Sequence, residues 1–346
     1  MKTSFRDRPI VQLTLVRFRE FRREPEAVFW VFLFPIILAA GLGLAFRNRP
    51  ADVVKVGAVT PQITASLKQE KLLDVREFSA ADGREQLRTG KIVLLAEPAA
   101  NGTGVQYEYD DTNPDGRTAR MLADRAVQTA GGQKDPVAVS EKLMREPGSR
   151  YIDFLLPGLL GMNLMGSSIW GLAFGVVDAR KKKLLKRLIA TPMPRHEYLL
   201  SFLFSRLVML VIEVGTLVGF GTLVFHVPVR GSVFALAGLC VITSLSFSSL
   251  GLLISARPRT IEAVSGITNL VMMPMWILSG VFFSSSRFPD AVMPLIKALP
   301  LTATIDALRA SMLQGTAFTE LWPQIAVLAA WGSLSFVVAL KVFRWR

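Results

Sequence analysis

Two charged residues, Arg206 and Glu213, interrupt an otherwise apolar run and stand seven positions apart. In a helix that spacing puts both on one face. Charged groups inside a membrane are costly and face protein or water rather than lipid. A rise of about 10 Å between them reads as too long for a direct pair, so each is expected to meet another helix or an interface. Arg206 could also snorkel towards one membrane surface. For Glu213 two readings stand side by side, a structural polar contact and a part in moving substrate or ions.

Little else in the chain suggests reaction chemistry. His196 and His226 lie about 45 Å apart if helical and cannot share a metal within one protomer. The single Cys240 allows no intrachain disulfide. No nucleophile, base and orienter can be assembled, and no Gly-x-x-x-x-Gly-Lys-Ser/Thr phosphate loop is present. Gly83 and Gly90-Lys91 come nearest, but the spacing is wrong and Ile92 follows. The chain reads as no enzyme, with no cofactor or metal of its own.

The elements that must position these residues are written in the hydropathy. The 346 residues are 51% hydrophobic yet carry a net charge of +13. A nucleic-acid binder could share that charge but not long charge-free stretches, and a bilayer core takes about 20 apolar residues as helix. Six spans follow, at 27–46, 153–177, 197–225, 232–256, 263–283 and 321–341. The first is too long for a cleaved signal and follows a charged tail, so it reads as a retained anchor. Pro157 and Pro274 free backbone carbonyls and permit bends in the second and fifth spans.

Basic residues orient the array. Segments 1–26, 178–196, 257–262 and 341–346 hold 19 Lys and Arg, whereas 226–232 and 284–320 hold four. Cytoplasmic loops carry the positive excess, so both termini, including the tail 342–346, are expected in the cytoplasm. Residues 47–152 then form an extracytoplasmic domain of α/β type. Strands are predicted at 53–59, 91–97 and 105–110, with helices near 62–73, 81–89 and 115–130. Asn101-Gly102-Thr103 reads as a turn. The stretch 284–320, broken by Pro289, Pro294 and Pro300, reads as short helices dipping into the outer leaflet.

The loop 178–196 is the most informative. Wound as a helix, Leu184, Leu185, Leu188 and Ile189 share one face, with Lys182, Lys183, Lys186 and Arg187 on the other, and Pro192 ends it. It suits either anionic headgroups of the lipid bilayer or a cytoplasmic partner.

With these pieces in order, the chain resembles the permeases of ABC-2-type exporters. The resemblance rests on the long domain between spans one and two, on Tyr151-Ile-Asp-Phe-Leu-Leu-Pro-Gly158, on Leu184-Leu-Lys-Arg-Leu-Ile-Ala-Thr-Pro192 and on Leu299-Pro-Leu-Thr-Ala-Thr-Ile-Asp-Ala-Leu-Arg309. It implies a bacterial inner-membrane permease that works as a dimer with a second copy or homologue. It also implies a separate ATPase subunit that binds ATP and magnesium. The loop would be the coupling helix, with Leu184, Leu185, Leu188 and Ile189 packing on the ATPase and Lys186 and Arg187 as polar neighbours. Ile10 to Arg23 would be the connecting helix, and Asn163, Ser167, Ser168, Asn269, Met272 and Met273 would line the translocation pathway. The short helices of 284–320 would cap its exit. Two other readings compete: an ion-coupled secondary transporter using Glu213, and a membrane sensor or assembly factor working through the outer domain.

Overall fold

The computed structural model describes residues 9–45, 53–99, 104–133, 150–182 and 195–342. In chain order its elements are α1 (Pro9–Arg23), α2 (Pro25–Ala45), β1 (Val54–Ala58), α3 (Pro61–Leu67), β2 (Leu73–Glu77), α4 (Ala80–Arg88), β3 (Leu94–Pro98), β4 (Val105–Tyr109) and α5 (Pro114–Ala130). Then follow α6 (Tyr151–Lys181), α7 (Arg195–Phe225), α8 (Val233–Ser255), α9 (Ile261–Leu278), α10 (Met293–Ala298), α11 (Pro300–Arg309) and α12 (Trp322–Val342). They divide into two compact units, residues 48–144 and the remainder.

The smaller unit is a four-stranded sheet in the order β2-β1-β3-β4. β1 lies parallel to β2 and β3, and β4 returns antiparallel with Leu94 opposite Tyr109. Alternation explains its layers: Val54, Val56, Ala58, Leu94 and Ala96 point to one side, where Leu67 of α3 and Ala119, Ala123 and Ala126 of α5 complete a closed core. On the other side Gly83 brings α4 close enough to β3 that a Cβ there would sit 2.6 Å from Leu95 Cδ1. Strand β2 is not among the strands predicted from the sequence. Its register of Leu73 and Val75 inward is flanked by charged Asp74, Arg76 and Glu77, and the helix read at 62–73 ends instead at Leu67. Asn101-Gly102-Thr103 lies outside the described residues.

Among the described residues of the larger unit six helices are long and apolar enough to cross a membrane, α2, α6, α7, α8, α9 and α12. Helix α6 is the axis of this unit, packing on α2, α7, α8, α9 and α11. Small residues let backbones meet there. A Cβ on Gly158 would fall 2.6 Å from the Val281 carbonyl oxygen, one on Gly161 2.9 Å from Ile305 Cγ1, and one on Gly251 of α8 2.9 Å from the Ile169 carbonyl oxygen. Gly158→Val is therefore expected to destabilise the protein by about 1–3 kcal/mol or more, since both partners at that contact are backbone. Gly171, with nothing within 4 Å of its Cβ position, supplies the control. Thermal unfolding in detergent should drop clearly for Gly158→Val and not for Gly171→Ala.

Between α9 and α12 the chain forms a broken hairpin, with Asp290–Ala298 and Pro300–Gln314 bent by 86°. Pro300 at the first turn of α11 starts the second limb where a missing N–H costs nothing. Eight of the ten α11 residues are buried, so this limb is a core element, whereas α10 buries only Ile296.

Candidate functional site: two arginine hubs on one helix

The first hub lies midway along α6, α7 and α8. The Arg206 guanidinium of α7 donates from Nη2 to Ser168 Oγ at 2.7 Å and to Ser167 Oγ at 3.0 Å, both on α6. Its Nε donates to Ser244 Oγ of α8 at 2.9 Å, and Nη1 donates to Glu213 Oε2 at 3.3 Å. Ser167 Oγ lies 2.7 Å from the other carboxylate oxygen, Glu213 Oε1. The Ser168 and Ser244 hydroxyls are 3.2 Å apart. One planar fork thus binds three helices, and both oxygens of a fully buried carboxylate are satisfied.

This corrects the expectation that Arg206 and Glu213 are too far apart to pair. The rise between them is about 10 Å, but the lean of helical side chains towards the N-terminus favours Glu213 reaching back to Arg206, and the two meet at 3.3 Å. The long arginine stem spans the remainder. Each residue also meets another helix through the serines.

Asn163, one turn before Ser167, donates from Nδ2 to the Val31 carbonyl of α2 at 3.0 Å. Pro35, four residues after Val31, has no N–H to offer that carbonyl, and the helix there opens into a π turn at Phe29–Leu33. Asn163 supplies the missing donor. Among the residues read as pathway candidates, the structure therefore ties Asn163, Ser167 and Ser168 into helix-to-helix bonding. Met272 is buried beside Gly166. Asn269 and Met273 stand apart, exposed on a face of α9 that also shows Ile267, Leu270 and Ile277.

The second hub is at the start of α6. Arg309, the last residue of α11, donates from Nη2 to the Gly280 carbonyl at 2.6 Å and to the Phe154 carbonyl at 3.2 Å, and from Nε to Phe154 at 3.3 Å. Its guanidinium stacks on the Phe154 ring with 3.6 Å to the centroid. Tyr151 Oη donates to the Phe282 carbonyl at 3.1 Å. Asp153 accepts from the Arg150 side chain at 2.8 Å and its backbone N–H at 3.1 Å, capping α6. Gly280 holds φ of +78°, a conformation that favours glycine, and so turns the chain out of α9.

Sequence reasoning missed Ser244 and did not foresee what Arg309 does. Ser244 had a signal, because Thr243, Ser244, Ser246, Ser248 and Ser249 crowd the middle of an otherwise apolar helix. Arg309 offered only its type. The proposed ATPase-facing residues Leu184, Leu185, Lys186, Arg187, Leu188 and Ile189 lie outside the described residues. No group of three or more His, Cys, Asp or Glu placed to hold a metal occurs among the described residues.

Comparison with known proteins follows the same lines. The model of the family described as "ABC-2 family transporter protein" matches residues 26–341. The chain is similar to "ABC transporter G family member 20" of Dictyostelium discoideum, 26% identical over 220 residues, 63% of this chain and 30% of that protein. It is similar to "Inner membrane transport permease YhhJ" of Escherichia coli, 25% identical over 187 residues, 54% of this chain and 48% of the relative. "Inner membrane transport permease YadH" of the same species is 28% identical over 200 residues, 57% of this chain and 75% of the relative. The matched region thus spans less than half the length of the first two.

Proposed function

The chain belongs to the ABC-2 family of transporter proteins, and from that premise we propose that it is the membrane-spanning permease of an ATP-driven exporter. The observation that carries this reading is the family match, which runs through all six membrane helices and both arginine hubs. ATP and magnesium would be bound by a separate ATPase subunit, docked on the loop that contains Leu185 and Arg187. Recovery of such a subunit with the full chain tests the reading.

The permease would work as a pair, with α6 and α9 beside the pathway. The support is the exposed face of α9: a bilayer gives Asn269 no hydrogen-bond partner, whereas a second permease or a water-lined passage does. In a Cys240→Ser background, Asn269→Cys is expected to form an oxidised dimer in native membranes. Leu334→Cys on α12, 63% exposed as a lipid-facing control, should stay monomeric. Equal crosslinking at both positions would contradict the assignment. The same reading places both termini in the cytoplasm of a bacterial inner membrane and residues 47–152 outside, on the basic-residue asymmetry.

The buried Arg206–Glu213 pair weakens the ion-coupled alternative. Both carboxylate oxygens and four guanidinium N–H groups already have partners, so the geometry suits fixing three helices better than passing an ion.

A further inference from the structure

Three elements converge on Arg309, whose hydrogen bonds go to backbone carbonyls and whose face stacks on a ring, while Asp306 one turn back on α11 acts on it as a counter-charge. Arg309 bonds the Phe154 carbonyl in the first turn of α6 and the Gly280 carbonyl just past the end of α9, while itself belonging to the hairpin limb α11. One side chain thus joins those three points. Neighbouring contacts join two of them as well: Gly158 lies against Val281, and Tyr151 bonds Phe282. Both Pro157 in α6 and Pro274 in α9 lie within seven residues of the staple, so each helix is built to bend close to where Arg309 holds it.

We infer that Arg309 is a positioning residue that latches one end of the pathway, so that the adjoining ends of α6 and α9 separate only when its guanidinium releases Phe154 and Gly280. This rests on the permease reading above, in which α6 and α9 flank the pathway. Release breaks no covalent bond and needs no proton. It exchanges two carbonyl partners and a ring face for water at the pathway mouth. Arginine suits the task because its planar fork bonds two carbonyls at once while its face stacks on the ring. A lysine ammonium keeps the charge but loses both the fork and the stack.

Hydrogen–deuterium exchange of the full chain in lipid nanodiscs tests this, with and without its co-purified ATPase and ATP. In the wild type, amides in 151–160 and 278–284 should exchange slowly without nucleotide and faster, together, during turnover. Arg309→Ala should speed both segments about tenfold or more without nucleotide, the effect of losing at least one charge-assisted hydrogen bond from the closed state. Turnover should then add little. Arg309→Lys, the variant less prone to misfold, should fall between the two. Unchanged exchange at the two segments in both variants, or a turnover response of wild-type size retained in Arg309→Ala, would overturn the latch. If no ATPase accompanies the chain at all, the permease reading fails instead, and with it the proposed role in transport, even if the staple itself is seen.

Discussion

Glu213→Leu is expected to be the most damaging single substitution in the membrane region, costing about 3–5 kcal/mol, the range for stripping a buried charge of its partner. The reason is chemical asymmetry. Removing Glu213 leaves the Arg206 guanidinium between α6, α7 and α8 with three serine oxygens and no counter-charge, and a guanidinium does not neutralise by losing a proton. Arg206→Leu leaves a carboxyl that can take up a proton and keep its bond to Ser167, so its cost is expected to be smaller. The double variant Arg206→Met/Glu213→Leu, which removes both charges and restores apolar volume, is expected to recover much of the loss. Membrane accumulation and thermal unfolding in detergent would rank the four proteins as wild type, double variant, Arg206→Leu, Glu213→Leu. A double variant worse than Glu213→Leu would show that the hub does more than pair charges. Defective export with normal stability in the double variant would move Glu213 towards a direct part in transport.

The second large effect is expected at the loop. Leu185→Asp combined with Arg187→Asp puts a charge into the proposed packing face and reverses one beside it. If each residue contributes about 2 kcal/mol or more to docking, as interface anchors do, association with the ATPase should weaken by a factor on the order of 10² to 10³. The chain itself should fold and insert as before, because the change lies outside the spans. ATPase retained at wild-type strength would remove the coupling-helix assignment. Binding lost to anionic vesicles, with the ATPase still bound, would favour the headgroup reading of the same basic segment.

The sequence made the membrane helices legible because each is a long apolar run and nothing else folds that way in lipid. It made the α/β character of residues 48–144 legible through short apolar runs at β1 and β3 and alternation in β4, but not β2, whose two inward residues sit among charges. Arg206 and Glu213 were visible as costly exceptions, and the need for partners on other helices follows from cost alone. Their direct bond was not, because residue spacing gives rise along the axis and says nothing of side-chain length or lean. The Arg309 staple depends on Gly280 turning the chain back and on an 86° bend between α10 and α11, features of tertiary geometry that no local pattern encodes. Asn163 belongs with these: its bond to Val31 answers a vacancy made by Pro35, 128 positions away in the chain.

Under the proposed function the chain is a permease driven by a separate ATPase subunit. The most direct measurement is to purify the tagged full chain from its native host in mild detergent, with ATP and magnesium present, and to quantify what accompanies it. An ATP-binding subunit in near-equal amount, with hydrolysis that depends on the permease, is the predicted result. No such subunit under those conditions, together with export that survives ATP depletion and collapses with an ionophore, would contradict it.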